Sequence, residues 1–131
     1  MYSSSLPESY IFYPAFFSIL SLALTADAMA DDVEAKFGDR IGTISIYNIV
    51  EDSNHKRFSL QFIAYGYFWI NIDYEEGMIG CIINYGDNFP VILPNTQEWY
   101  SKMDIDKFLE ELRREIELRI PDKYLKAHGY M

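Results

Sequence analysis

The sequence predicts an α+β fold, in which helices from both ends of the chain cover a central antiparallel sheet of four to five strands. Residues 43–93 carry aromatic and β-branched side chains in an alternating pattern that is typical of strands. Apolar residues at helical spacing occupy 14–38 before this stretch and 104–128 after it. We therefore expect residues 1–131 to form a single domain, which begins with a polar and aromatic lead-in over 1–13.

The N-terminal helix is predicted over residues 14–38. Pro14 suits the first turn of a helix, where its missing N–H would be unpaired in any case, and Gly38 is placed to cap the C-terminus. Two apolar rows at i, i+4 spacing predict a helix that is buried on most of its surface. Residues 15–30 are also similar to a cleaved signal peptide, but no Lys or Arg precedes them and Glu8 does. We favour a buried helix, because the apolar run is interrupted and too short to span a membrane.

The first strand of the sheet is predicted over residues 43–50. Regular alternation would place Ile46 and Val50 on one side of the sheet and Tyr47 on the other. The polar composition of residues 51–56 indicates a turn before the second strand.

The loop of the next hairpin follows from the need to keep one face of the sheet apolar. A two-residue turn at Tyr65 and Gly66 would place polar residues opposite apolar ones. A three-residue loop over 65–67 pairs Phe62 with Ile70 instead, and Gly66 can take the left-handed conformation that such loops need. We therefore predict the three-residue loop.

The following hairpin is constrained in the same way. Pairing Ile72 with Cys81 continues the apolar face, and it requires either a two-residue or a four-residue loop around Gly77. A turn over 86–88 and a short last strand over 89–93 complete the predicted sheet, and a connector over 94–103 follows. Pro90 marks that strand as an edge strand or as the site of a bulge.

The C-terminal helix is predicted to be amphipathic, with one wet face. Its apolar stripe consists of Ile105, Phe108, Leu109, Leu112 and Ile116. Asp104, alone or together with Ser101, is placed to cap its N-terminus. Pro121 ends or kinks the helix, and 122–128 is expected to form a final helical turn that Gly129 can cap.

The charge of the chain limits its partners. With 20 acidic and 11 basic residues, the formal net charge is −9. Such a surface repels phosphate backbones, so we expect no nucleic-acid ligand. It would attract a basic protein and accelerate the encounter with it, although an acidic surface also serves solubility alone.

No enzyme signature is present in the sequence. A phosphate-cradling loop, a GxSxG elbow and a CxxC pair are all missing, so we predict no catalytic activity, no cofactor and no metal. His55 and His128 are far apart and lack ligand spacing. The carboxylates of Asp73, Glu75 and Glu76 cluster near one hairpin and could bind a metal or act as an acid–base pair, but solvated side chains are the simpler interpretation.

Cys81 is the single cysteine, so no internal disulfide can form. It lies in the apolar run of residues 79–83, and we therefore expect a buried thiol and not a nucleophile. The absence of disulfides suits a reducing cytosol.

The second face of the predicted sheet is the candidate functional surface. It mixes aromatic and polar side chains, a combination that protein interfaces favour: Tyr47, Gln61, Trp69, Asn71 and Asp73. Acidic residues in the turns would give this face a negative rim: Glu51, Asp52, Glu75, Glu76 and Asp87. Two arrangements of the helices remain open. Either the C-terminal helix covers this face, or both helices pack on the opposite face and leave it free for a partner.

Two segments together resemble the small immunity proteins of bacterial polymorphic toxin and contact-dependent growth-inhibition systems. They are the aromatic sheet segment YGYFWINIDYEEGMIGCIINYGD and the acidic helix with its tail, FLEELRREIELRIPDKYLKAHG. The similarity covers about the C-terminal two thirds of the chain. It implies a cytoplasmic protein that binds one cognate toxin domain, usually a nuclease, and blocks it by occluding the active site or the substrate-binding site.

Two other functions fit the same observations. An acidic secretion chaperone would be similarly small and usually dimeric, whereas we favour a monomer. A small ligand-binding domain would need a concave site with converging polar groups, for example between the sheet and the long helix.

Overall fold

Four long strands and two short ones form one antiparallel sheet, and the helices pack against it. The computed structural model describes residues 14–52, 55–84, 90–92 and 98–131. The helices are α1 (Pro14–Phe37), α2 (Ile105–Leu118) and α3 (Asp122–Ala127). The strands are β1 (Ser45–Asp52), β2 (His55–Ala64), β3 (Phe68–Glu75), β4 (Met78–Asn84), β5 (Pro90–Ile92) and β6 (Glu98–Trp99). Short 3₁₀ turns follow α1 and β6, at Gly38–Arg40 and Tyr100–Lys102. The predicted α+β fold is confirmed.

The strand order is β1-β2-β3-β4-β5, with β6 also paired to β4. Both predicted hairpin registers are confirmed, because Phe62 pairs with Ile70 and Ile72 pairs with Cys81. The loop between β3 and β4 has two residues, Glu76 and Gly77, with φ angles of 52° and 87°. Positive φ at both positions is the geometry of a type I′ turn, whose twist matches that of the flanking strands.

A β-bulge in β1 overturns the predicted side for Val50. Tyr47 pairs with Ser59, but Val50 pairs with Arg57, so one extra residue of β1 is accommodated between them. Asn48 has a φ of 54° at this point, a left-handed conformation that Asn tolerates better than most residues. The bulge shifts the alternation by one residue, and Val50 therefore lies on the side of Tyr47.

The ends of other predicted elements also differ from the structure. The turn predicted over 51–56 is shorter, because Glu51 pairs with Lys56 and extends both strands of the hairpin. The connector predicted after the last strand contains β6, whose Trp99 pairs with Met78. The last predicted strand is described over Pro90–Ile92 and lies at the sheet edge, which is one of the two alternatives that Pro90 indicated. The turn predicted at 86–88 lies outside the described residues.

Both helices pack on one face of the sheet, which we call the inner face. Its strand residues are almost fully buried: Phe58, Leu60, Phe62, Ile70, Ile72, Ile79, Cys81 and Ile83. The helices add their own buried side chains to the same core: Leu22, Ala26, Met29, Val33 and Phe37 from α1, and Phe108, Leu109, Leu112 and Ile116 from α2. This settles the open question of helix placement in favour of the second arrangement.

Polar contacts fix α2 at its start and against α1. The side chain of Asp104 accepts a hydrogen bond from the Lys107 backbone N–H at 3.2 Å, which is the predicted N-cap. The Lys36 ammonium lies 2.8 Å from Asp106 and 3.4 Å from Glu110, and these carboxylates raise the pKa of Lys36. Within the residues described, no helix is long and apolar enough to cross a bilayer.

The C-terminal tail packs against the loop between β2 and β3. The Tyr124 hydroxyl donates to the Tyr65 carbonyl at 2.8 Å, and the Tyr130 ring meets the Tyr65 ring edge-on at 5.1 Å. The Tyr65 hydroxyl donates to the Glu117 carboxylate on α2. Burial, reinforced by Glu117, raises the pKa of Tyr65 well above its usual value. The loop, α2 and the tail are thus held together at one end of the molecule.

Candidate functional site

The side of the sheet opposite the helices, which we call the outer face, is open over the part of the chain that the structure describes. It carries the side chains that alternate away from the core: Tyr47, Val50, Arg57, Ser59, Gln61, Ile63, Trp69, Asn71, Asp73, Glu75, Met78 and Ile82. Trp69 is 48% exposed, whereas its neighbour Ile70 on the inner face is fully buried. The two faces therefore differ sharply within one strand.

Asn71 is the centre of a polar network on the outer face. Its amide nitrogen donates to the Tyr47 hydroxyl at 2.5 Å. Its carbonyl oxygen accepts from the Gln61 amide at 3.3 Å and from the Asn84 amide at 3.5 Å. These bonds cross four adjacent strands, β1 to β4. Side chains held in this way lose little freedom when a partner binds, which lowers the entropic cost of association.

A second polar contact lies one row further along the sheet. The Ser59 hydroxyl donates to the Asp73 carboxylate at 2.7 Å, and Ser59 is only 9% exposed. A hydrogen bond to an ionised acceptor is stronger than one between neutral groups. Asp73 is therefore oriented on the outer face and not freely mobile.

The end of the outer face near the β3–β4 turn is acidic but not uniformly so. The carboxylates of Glu75 and Glu76 lie 3.7 Å and 3.9 Å from the His55 ring. Glu76 also accepts a hydrogen bond from the Lys56 backbone N–H at 2.7 Å. Arg57 pairs with Glu75 across the strands, so one positive charge interrupts the rim. Strand alternation already places Arg57 beside Ser59, and the sequence prediction overlooked it.

The predicted site residues fall into three groups. Tyr47, Gln61, Asn71 and Asp73 form the polar centre just described. Trp69 lies at one end, between Ile63 and Asn84, and Glu75 with Glu76 lies at the other. Trp69 and Glu75 are six positions apart on β3, which corresponds to about 20 Å along a strand. Asp87 lies outside the described residues. Glu51 and Asp52, predicted as turn residues of the rim, belong to β1.

Trp99 was not predicted as a site residue, yet it borders the acidic end of the outer face. It is 49% exposed and pairs with Met78 of β4. Beside it lies a recess of about 470 Å³, the Trp99 recess. Its lining consists of Asp73, Glu75, Glu76, Met78, Ile79, Gly80, Cys81, Ile82 and Trp99. A single Trp after a polar connector gave no periodic signal, which is why the sequence did not reveal it.

A second, smaller groove of about 280 Å³ lies between α1 and α2. It contains both signs of charge, from Asp32, Asp106, Lys36 and Arg113. The ligand-binding hypothesis placed a pocket between the sheet and the long helix, but this groove lies between the two helices. In the part of the chain that the structure describes, no group of three or more His, Cys, Asp or Glu side chains is arranged to hold a metal ion.

No known protein-family model, characterised protein or solved structure matches this chain.

Proposed function

We propose that this chain is an immunity protein, which binds a basic toxin domain through the outer face and blocks that domain by occlusion. One observation carries the proposal: both helices pack on the inner face and leave an aromatic and polar sheet surface open. Exposed aromatic side chains that surround a preorganised polar centre are typical of protein interfaces. The hydrogen-bond network around Asn71 holds this polar centre in place, which supports its use as a binding surface.

The charge of the chain supports the choice of partner. A net charge of −9 favours encounter with a basic surface. Nucleases bind phosphate backbones through basic clefts, so a nuclease toxin presents the complementary surface. The carboxylates of Asp73, Glu75 and Glu76 would take the place of substrate phosphates, and Trp69 would slow release as a buried anchor.

The decisive experiment is a neutralisation assay. Any candidate toxin domain encoded beside this gene is expressed in cells with and without this chain, and growth is measured. We expect growth to be restored by the wild-type chain, and the purified pair to form a stable complex. A toxin that kills cells equally in the presence of this chain would refute the proposal.

Trp69→Ala tests whether the outer face is the surface used. We expect complex affinity to fall by more than about 2 kcal/mol, because an interface anchor loses its buried contacts. Leu118→Ala is the matched control, since Leu118 is a 73% exposed apolar residue on α2. Isothermal titration calorimetry measures both. Equal affinities of the two variants would show that the partner binds elsewhere.

Charge reversal tests the acidic rim that the sequence predicts for the outer face. We expect the triple variant Glu75→Lys, Glu76→Lys and Asp87→Lys to weaken the complex strongly and to reduce the salt dependence of its affinity. Its control reverses three exposed acidic residues elsewhere, which gives the same net charge: Glu34, Asp39 and Glu111. An equal loss in both variants would mean that only overall charge matters.

The dimeric chaperone is the main competing function. It would use the open outer face to bind a second copy or an unfolded client, and light scattering on the purified chain distinguishes the two proposals. We expect the mass of a monomer. A stable dimer that Trp69→Ala dissociates would favour the chaperone.

A further inference from the structure

We propose that the Trp99 recess receives an arginine side chain of the protein partner. The inference deepens the proposed function and rests on it for the identity of the partner as a basic protein. The recess itself is a property of this chain, and its preference for a guanidinium group can be measured without that partner.

The indole of Trp99 is held in place at the wall of the recess. The Tyr100 backbone N–H donates to the Gly77 carbonyl at 2.9 Å, and Trp99 pairs with Met78. A methyl group at Gly77 would lie 3.5 Å from two atoms of the indole ring, so the ring packs directly on the β3–β4 turn. About half of Trp99 stays exposed. Its position is thus fixed while a ring surface remains free for a ligand.

Gly80 lines the recess without contributing a side chain. Residues Ile79 and Cys81 on either side of it point into the core, so position 80 faces outward and contributes no side chain. Along this edge of β4, β5 pairs with residues 82–84 and β6 with residues 78–79. Among the described residues, no strand pairs with this edge at positions 80 and 81. Position 80 therefore adds no side chain to the described lining of the recess.

Charge at the recess favours a cation. Asp73, Glu75 and Glu76 all line it, and Asp73 is oriented by Ser59. One positive charge, that of Arg57, lies on β2 next to Glu75. The recess lies on the other side of Glu75, towards β4. The His55 ring also lies beside Glu75 and Glu76. Three carboxylates against one guanidinium and this imidazole favour a cationic ligand over an anionic one.

The mixed lining distinguishes arginine from a simple cation. A guanidinium is planar, stacks on aromatic rings and binds carboxylates through two parallel hydrogen bonds. Its apolar stem packs well against side chains such as Met78 and Ile82. A hydrated metal ion would gain nothing from these apolar walls. An arginine side chain uses all three features: the indole, the carboxylates and the apolar wall.

The test is an NMR titration of the full chain with N-acetyl-arginine amide. The chain has two tryptophans, so the indole N–H of Trp69 serves as an internal control for that of Trp99. We expect a saturable shift of the Trp99 resonance and almost none of the Trp69 resonance. N-acetyl-citrulline amide has a similar shape without the charge and should produce no saturable shift. Equal responses to both compounds, or equal shifts of both indoles, would overturn the inference.

Four variants locate the binding. Gly80→Val fills the recess and should abolish the Trp99 response while the other amide resonances stay dispersed. Glu75→Gln should weaken binding about threefold, and Arg57→Gln should strengthen it by a similar factor, because each changes one partly screened charge. Glu111→Gln removes an exposed charge from α2 and should leave binding unchanged. Unchanged affinity in Gly80→Val would place the arginine elsewhere and refute the inference.

The arginine-site proposal and the immunity proposal can be refuted independently of each other. If arginine amide does not bind but growth is restored, the chain is an immunity protein that does not use the recess. If arginine amide binds but no toxin is neutralised, the recess exists and the immunity proposal is wrong. In a verified complex, Gly80→Val should lower affinity and the loss should be absent when the partner's docking arginine is replaced by alanine.

Discussion

The inner and outer faces of the sheet are built from the same four strands but differ in composition and exposure. On the inner face, the eight strand residues named above are all apolar, and each is at most 1% exposed. On the outer face, the same rows of paired residues carry amides, a hydroxyl, carboxylates and a half-exposed Trp69. Stability is therefore concentrated on one face, which leaves the other free to change its chemistry without loss of the fold.

The largest expected difference between the faces is in the free energy of unfolding. Ile70→Ala should destabilise the chain by about 2–5 kcal/mol, because it removes fully buried methyl groups from the core. Trp69→Ala, one residue earlier and on the outer face, should cost less than about 1 kcal/mol. Urea unfolding followed by circular dichroism measures both. A cost for Trp69→Ala as large as that for Ile70→Ala would mean that the outer face is also core.

Thiol reactivity tests how tightly the inner face is closed. Cys81 is buried, so the reagent cannot reach its thiol in the folded chain. Burial also raises the pKa of the thiol, so little of the reactive thiolate is present. We expect the folded chain to react with an aromatic disulfide reagent at least about a hundredfold more slowly than the chain in urea, because reaction requires opening of the core. The control is Ser101→Cys in a Cys81→Ala background, which places a thiol at an exposed position. Similar rates for the two folded proteins would contradict the closed core.

Removing the centre of the polar network should have an intermediate effect. Asn71→Ala should lower stability by about 1 kcal/mol, since it breaks the hydrogen bonds with Tyr47 and Gln61. Asn84→Ala removes a single long contact of 3.5 Å and should cost clearly less. Chemical unfolding compares the two. If Asn71→Ala is neutral, the network does not preorganise the outer face in the free chain.

The smallest effect is expected at the ion pairs between the helices. Lys36→Met should lower the melting temperature slightly at low salt, and the difference should fade in high salt because the pairs are largely solvated. Lys107→Met is the control, an exposed lysine on α2 that has no ion pair with any described residue.

The stabilisation that the ion pairs of Lys36 provide should also depend on pH. The folded state raises the pKa of Lys36 above 10.5, so the contribution of its charge is complete at neutral pH. This contribution is lost as the pH rises through the pKa that Lys36 has in the folded state. The stability difference between wild type and Lys36→Met should therefore shrink in strongly alkaline buffer, and a constant difference would show that the ion pairs are not its source.

The sequence was sufficient for the registers because the core imposes a strict condition on them. Only the three-residue loop before β3 places Phe62 opposite Ile70, and a slip of one residue would move polar groups into the core. The same condition fixed Ile72 opposite Cys81. The caps at Asp104 and Gly38 were also predictable, because they depend on local chemistry alone.

Other features depend on contacts that no local pattern records. The apolar stripe of α2 shows that one side is covered, but it does not say which face of the sheet covers it. At the bulge, Asn48 adopts a left-handed conformation that the sequence permits but does not require. The alternating pattern therefore predicted a regular strand. Trp99 lies in a strand of two residues, too short for any periodicity, and its place beside the acidic end depends on pairing with Met78. These three facts together define the candidate site.

The bulge in β1 also affects how the chain behaves when it is crowded. In the described sheet, β1 is an edge strand, so one of its sides has no described strand to pair its backbone groups. An edge of that kind is a template on which other chains can add strands and aggregate. The left-handed residue Asn48 interrupts the run of regular backbone, and the charged Glu51 and Asp52 follow it. The bulge and these charges therefore disfavour the addition of a further strand to this edge.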